Sequence, residues 1–324
     1  MRRIQMKKWI SIIITLFFAL GIFSTTGMAA KKKMSDITIG ITGFNWGVDS
    51  YQTTYEKAFV RHCKKRGVNC IKLDPKGDAA LQANHVEDLI QKKVDVIIIW
   101  PVSGKGIIPA VRKANAANIP VLVTNSPIDP SGEPLTKGFC GPDNVLEGRY
   151  AGEMMAEAMK GKGKVVEIMG FPGYVTATER SQGFHDALKK FPGIEIIETQ
   201  PGNWDRMKSQ KVMENFLVKY GPEDFNGVYV ADDNMGMGAV NALKAAGRIK
   251  DVIVTSACMF GEGYDAMGRG EIYGTVYQSP TSDGQIAVDT AIKVALGEDI
   301  PKKNFFETPK VTHRIVHLFI KPPF

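Results

Sequence analysis

"KVVEIMGFPGYVTATERSQGFHDALKKFPGIEIIETQ", residues 164–200, is the stretch whose reading decides the fold. It opens on an apolar, β-branched run, turns at Gly170-Phe171-Pro172-Gly173, continues with helical spacing, and turns again at Gly193 into a second apolar run. Two buried strands joined by a helix form a parallel pair with a crossover, because only a crossover of a dozen or more residues brings the chain back in the same direction. Within it "TATE", Thr176 to Glu179, reads as a capping box opening a helix that continues over 181–190.

The same alternation extends outward. Upstream stand "ITIGIT", "CIKLD", "VDVIIIW" and "IPVLVTN"; downstream stand "GVYVAD", "VIVTSA" and "YGTVYQ". Helix-period segments over 51–66, 79–92, 105–117, 145–160 and 235–246 lie between them, and "GNWDRMKSQKVMENFL" at 202–217 reads as a further helix with its mouth at Asp205. Near-continuous apolar strands alternating with helices are the pattern of parallel sheets covered on both faces. The rhythm pauses at "SPIDPSGEPLTKGFCGPDN", residues 126–144, rich in Pro, Gly and Asp. An α/β protein of two similar doubly wound parallel-sheet lobes, divided near Pro142, is the expected architecture.

The start of the chain sets the compartment. Arg2, Arg3, Lys7 and Lys8 precede an apolar run from Ile10 to Phe23, and Gly27-Met28-Ala29 offers small residues for cleavage. The run is shorter than the roughly 20 residues a membrane span requires, so residues 1–29 are expected to be a secretory signal peptide rather than an anchor. Removing those four cations reduces the net charge from +7 to about +3, too small and too interspersed with acids to imply a nucleic-acid partner. Of the four cysteines, Cys63 and Cys70 are close enough in sequence for a disulfide in an exported protein, with Cα geometry deciding whether it forms. There is no Cys-x-x-Cys, and His313 and His317 lie in a stretch read as strand, so neither a metal nor a cofactor is expected.

Ligands of open α/β sheets settle at the carboxyl ends of strands. Those ends here carry "TGFNWGVDSY", "WPVSG", "TNSP", "GFPGYVTATER", "GNWDR", "ADDN" and "SACMF", and hold Trp46, Trp100 and Trp204. An aromatic plate beside Asn203, Asp205 and Arg206 suits a sugar or polyol, which offers C–H groups on one face and hydroxyls around its edge. The competing reading makes Asp205 a helix cap and Trp204 its staple. "SGKG" at 103–106 lacks phosphate-loop spacing, "GFPG" lacks the dinucleotide fingerprint, and no serine stands in a nucleophile elbow, so an enzyme is not expected. A repressor on a similar two-lobed frame needs a DNA-reading helix pair before Ile37, which the sequence does not offer.

From Ile37 to about Phe319 the chain resembles the ribose/galactose class of periplasmic solute-binding proteins that feed ATP-driven importers. The resemblance rests on "ANIPVLVTN", "GPDNVLEGRYAGE", "EIMGFPGYVTATERSQGFHDAL", "TQPGNWDRMKSQKVMENFL", "VYVADDNMGMGAVNALKAAG" and "GTVYQSP", in matching order and spacing. It implies the type I periplasmic binding fold, with a three-strand hinge near Pro142, Ser279 and Thr308. The lobes are then 35–142 plus 279–308 and 143–278 plus 309–324. It also implies a monomer in the periplasm whose partners are a small sugar or polyol and an ABC transporter permease, with a membrane sensor as a further partner. Carried over by position, the ligand contacts are Asn45, Trp46, Tyr51, Asn125, Asn144, Arg180, Trp204, Asp232 and Gln278, with Asp49, Trp100 and Cys258 at adjoining cleft positions. Asn144 and Asp232 also read as helix caps, and Arg180 as a surface charge. The class usually carries Asp-Arg where Asn125 and Ser126 stand, and Phe-Asp where Ala257 and Cys258 stand, so the ligand is expected not to be ribose. A nucleoside, held by the same rings, is the alternative ligand class.

Overall fold

The structure, a computed structural model, describes residues 32–324, so the expected signal peptide lies outside the described residues. The chain opens with β1 (Thr38–Thr42), α1 (Ser50–Arg66), β2 (Asn69–Leu73), α2 (Ala79–Gln91), β3 (Val96–Ile99), α3 (Ile108–Ala116), β4 (Val121–Thr124) and β5 (Gly138–Gly141). A second series follows: α4 (Asn144–Ala158), β6 (Gly163–Met169), α5 (Val175–Leu188), β7 (Ile194–Pro201), α6 (Arg206–Lys219), β8 (Gly227–Val230), α7 (Asp233–Ala245), β9 (Ile253–Thr255), α8 (Gly261–Gly268) and β10 (Gly274–Val276). The last elements are α9 (Pro280–Ala295), β11 (Lys303–Phe305) and β12 (Lys310–Thr312).

These strands make two six-stranded sheets, ordered β2-β1-β3-β4-β5-β11 and β7-β6-β8-β9-β10-β12. Every pairing is parallel except that of β12 with β10. Two doubly wound α/β lobes result. In each, the chain moves from the first strand to one side and then back across to the other, which opens a crevice at the carboxyl ends beside β1 and β6. The chain passes between the sheets three times: after β5, between β10 and α9, and between β11 and β12.

β3 shows why the strands lack a two-residue polar alternation: all four of its residues are buried, because helices cover both faces. Ile98, Ile39 and Ile41 pack with Tyr55, Phe59 and Ile292 on the α1 and α9 side. Ile97 and Ile99 pack with Leu89, Val86 and Val111 on the α2 and α3 side. Each such side chain contributes roughly 1.5–3 kcal/mol on burial. In the second lobe Val166, Ile168, Val228 and Val230 join Phe216, Met235 and Leu243 on one face. Val165 and Tyr229 join Phe184 and Met155 on the other.

The start of α5 differs from the sequence reading. Its N-cap position is Tyr174, which makes no side-chain cap bond, and Thr176 sits inside the helix with its Oγ1 buried and unpartnered. Glu179 accepts from Asn144 Nδ2 at 3.2 Å instead of closing a capping box. Backbone packing against α4 sets the register: a methyl at Gly148 would overlap the Arg180 carbonyl, and one at Gly183 would overlap the Val145 carbonyl. The disulfide considered for Cys63 and Cys70 is not formed; all four cysteines are free. The two thiols are nonetheless neighbours, and the Cys63 thiol is pushed up by its hydrogen bond with Cys70 and by burial.

Candidate ligand-binding site

The loops at the carboxyl ends of the two sheets meet through Tyr174, which follows β6. Its hydroxyl accepts from Trp100 Nε1 at 2.8 Å, and its ring makes an edge contact with Phe44 at 5.6 Å. On its other side Tyr174 meets Trp204 edge-on at 6.2 Å. Tyr174 therefore joins the aromatic groups of both lobes across one cleft.

Trp46 and Trp204 occupy corresponding places. Each lies over a glycine just after the first strand of its sheet, Gly43 after β1 and Gly170 after β6, where any side chain would collide with the indole. The two rings differ in their remaining valences. Trp46 Nε1 donates to Leu73 O at 2.9 Å, and its ring stacks on Tyr55 at 5.9 Å, so the loop after β1 is tied to the lobe. Trp204, with φ of 58°, leaves Nε1 without a partner and lies 5.8 Å from the Arg180 guanidinium. An aromatic face backed by a cation, with an unused N–H, is a polar and apolar surface in one place.

Arg180 is only 3% exposed, which corrects the surface-charge alternative. Its position follows from the α4–α5 contact described above. Nη1 donates to Ala231 O at 2.8 Å and Nη2 to Gln278 Oε1 at 2.6 Å, while Nη2 also forms a 2.7 Å ion pair with Glu147, outside hydrogen-bond geometry. Burial pushes Glu147 up to about 6 against the opposing pull of Arg180. Among the described residues Arg180 Nε has no partner.

From Gln278 the network crosses to the first lobe. Gln278 Nε2 donates to the Tyr51 hydroxyl at 2.7 Å, and that hydroxyl donates to Asp283 Oδ2 at 2.9 Å. Asn125 Nδ2 donates to the same carboxylate oxygen at 2.6 Å. Asp283 is pushed up to about 7, by burial first and against the stabilising bonds from Asn125 and Tyr51. Cys258, with φ of 84°, places its Sγ 3.3 Å from Gln278 Oε1 and 3.5 Å from Arg180 Nη1.

Two further carboxylates cap helices at the cleft. Asp49 Oδ1 accepts from Gln52 N at 2.7 Å at the mouth of α1, and Asp232 Oδ1 accepts from Met235 N at 2.7 Å at the mouth of α7. Burial pushes Asp232 up to about 6, opposed by the Met235 N–H and Arg180, with Asp49 adding a like charge. Asp205, which caps α6 through Lys208 N at 2.8 Å, takes the capping role read from the sequence, and Trp204 is left to the cleft.

Tyr51, Asn125, Arg180, Cys258 and Gln278 thus form one bonded group, while Trp100 and Trp204 contact Tyr174 and Trp46 meets Trp100 edge-on. Asn144, first residue of α4, is 2% exposed and bonded through Nδ2, with its Oδ1 unpartnered. Asn45 uses its backbone N–H on Gln52 Oε1 at 3.0 Å, and its side-chain amide lies near Gly77. Sequence reading missed Tyr174, Glu147 and Asp283. Tyr174 carries a signal, an aromatic residue in a strand-end loop next to "FPG"; Glu147 sits inside the helix-period run 145–160 and Asp283 in α9, a helix not read from the sequence, and neither carries one.

Among curated proteins, a xylitol-binding protein of Mycolicibacterium smegmatis is 29% identical over 283 residues, covering 87% of this chain and 79% of that protein. A ribose import binding protein of Bacillus subtilis is 31% identical over 309 residues, covering 92% and 96%. A solved ABC transporter solute binding protein of Bacillus halodurans with bound myo-inositol superposes with a TM-score of 0.82 at 25% identity, covering 88% of this chain and 98% of that one. All three are named as binding proteins, two of them for import or an ABC transporter. Residues 39–299 match the family described as the periplasmic binding protein domain, and this two-lobed, cleft-bearing chain belongs to it.

Proposed function

We propose that the protein captures a small sugar or polyol between its lobes in the periplasm, as a monomer, and hands it to the permease of an ABC importer. One observation carries the reading: Trp204 presents its ring beside the Arg180 guanidinium, and Trp204 Nε1 and Arg180 Nε are both buried donors without partners among the described residues. Buried donors are nearly always satisfied, and each one left unpaired costs roughly 1–3 kcal/mol. A polyhydroxyl ligand supplies acceptor oxygens to both and lays C–H groups on the indole. Relatives named for ribose and xylitol, and a structural neighbour holding myo-inositol, support that chemistry.

The lobes are taken as 35–142 plus 279–308 and 143–278 plus 309–324, hinged where the chain passes between the sheets. Asn45, Trp46, Asp49, Tyr51, Trp100, Asn125, Asn144, Arg180, Trp204, Asp232, Cys258 and Gln278 form the ligand site, some by contact and others by holding the contacting groups. Closure is a population shift, because a ligand touching both lobes binds the closed form more tightly than the open one. Ribose is not the preferred ligand: Asn125 and Cys258 supply no charge, and the guanidinium of Arg180 is already engaged by Glu147, Gln278 and Ala231. The same binding step serves a membrane sensor when a receptor rather than a permease reads the closed form. A thermal-shift screen of ribose, xylitol, myo-inositol, sugar acids and nucleosides tests the assignment, since a ligand at a thousandfold its dissociation constant adds about 4 kcal/mol. Stabilisation by polyols or sugars supports it, and stabilisation by nucleosides alone contradicts it.

A further inference from the structure

We propose that Asp283 is a positioning residue that fixes the Asn125 amide so that the cleft receives its Oδ1, a hydrogen-bond acceptor. The inference rests on the reading of the cleft as a sugar or polyol site. Asp283 lies in the first turn of α9, where a negative charge is favoured by the helix dipole, and its side chain is completely buried. Its Oδ2 receives two donors, Asn125 Nδ2 at 2.6 Å and the Tyr51 hydroxyl at 2.9 Å.

Above the value of about 7 to which burial pushes it, Asp283 is ionised and only accepts, so it dictates which end of the Asn125 amide faces it. The NH2 group turns to Asp283, with a second, longer contact to Tyr51 at 3.3 Å. No hydrogen bond from a described residue reaches Asn125 Oδ1. The Asn125 backbone is held as well: its N–H donates to Cys140 O at 3.1 Å, with φ of 58° at the carboxyl end of β4. Rotation of the amide would place its carbonyl oxygen against the carboxylate, which the buried site cannot solvate.

The direction of bonding extends further. Tyr51 spends its proton on Asp283 and therefore accepts from Gln278 Nε2, which leaves Gln278 Oε1 to accept from Arg180. One buried carboxylate thus sets the polarity of three side chains, Asn125, Tyr51 and Gln278, across the two lobes. Asn125 presents an acceptor, and Arg180 Nε and Trp204 Nε1 present donors. A polyhydroxyl ligand then donates to Asn125 and accepts from the second lobe.

The test uses three variants and calorimetry with D-ribose, xylitol and myo-inositol as probes. Asp283→Asn keeps the shape but introduces an NH2 group that recruits Asn125 Oδ1, turning the amide of Asn125 toward the cleft as a donor. It is expected to weaken the tightest of the three probes by about tenfold or more, the value of one well-placed hydrogen bond. The double variant Asn125→Asp/Asp283→Asn restores an acceptor oxygen to the cleft, now from a carboxylate, and is expected to recover affinity to within about threefold of wild type. Asp283→Leu removes the partner altogether. Nuclear magnetic resonance of the ligand-free protein is expected to show slowly exchanging Asn125 side-chain amide protons in the wild type and rapid exchange in Asp283→Leu. Wild-type affinity in Asp283→Asn, or a double variant no better than the single, overturns the inference and leaves the sugar reading standing. A wild type that binds none of the three probes overturns both.

Discussion

Trp204 divides a purely structural account of the cleft from a functional one. Its helix is already capped by Asp205, its indole N–H has no partner among the described residues, and its ring lies over Gly170 beside Arg180. Trp204→Ala is therefore expected to weaken ligand binding at least tenfold, about 1.4 kcal/mol, with little change in the melting temperature of the ligand-free protein. Calorimetry and thermal unfolding read the two effects separately. Trp46 is the contrasting case, because its N–H on Leu73 and its stacking on Tyr55 make it part of the lobe as well as of the cleft. That difference is not legible in the sequence, where both tryptophans follow an asparagine in a strand-end loop.

The α4–α5 pair places Arg180, and its contact is made by glycines. Gly148 and Gly183 admit the facing backbone where a methyl would collide, so Gly148→Ala must push α5 away from α4. Overpacking of this kind costs roughly 1–3 kcal/mol, and a displaced α5 also carries Arg180 away from Gln278 and Ala231. A lower melting temperature together with weaker ligand binding is the expected result, and a loss of stability with unchanged affinity would separate Arg180 from the site. The elements themselves were largely readable: apolar strands such as "VDVIIIW", and long amphipathic segments such as 51–66, match β3 and α1 closely. The α5 start was misread because "TATE" is a local signal overridden by backbone packing that depends on residues some thirty positions upstream. The edge strand β11 and the short helix α8 were not read at all. β11 has three residues, only one of them apolar, and α8 is glycine-rich at its start, so neither carries a periodic pattern.

At the scale of the whole molecule, the cleft and hinge concentrate carboxyl groups away from water. Burial, acting against their hydrogen bonds, pushes Asp233 and Asp283 up to about 7 and Asp232 and Glu147 up to about 6. A carboxyl group whose folded value lies above its unfolded value binds more protons when folded, so its contribution is full below the unfolded range and is lost as pH rises through 6 and 7. His185, raised by its hydrogen bond to Glu167, acts in the same direction, while Glu198, held at about 2 by Lys219 and Tyr220, matters only at lower pH. The melting temperature of the ligand-free protein is expected to fall between pH 5 and pH 8, with a shallower fall in Asp283→Asn, as calorimetric scans across that range would show. A rise over the same range would mean that these groups are not buried as described. On the proposed function, two lobes, three passages between them and a cleft rich in rings and carboxyl groups serve one step, the capture of a small polyhydroxyl ligand. The most direct measurement is calorimetric titration of the purified protein with a panel of pentoses, hexoses, polyols and inositols. The account predicts sub-micromolar, one-to-one binding of at least one neutral member other than ribose, weakened at least tenfold by Trp204→Ala. Binding that leaves the Trp204→Ala variant unaffected, or a panel with no binder at all, would contradict it.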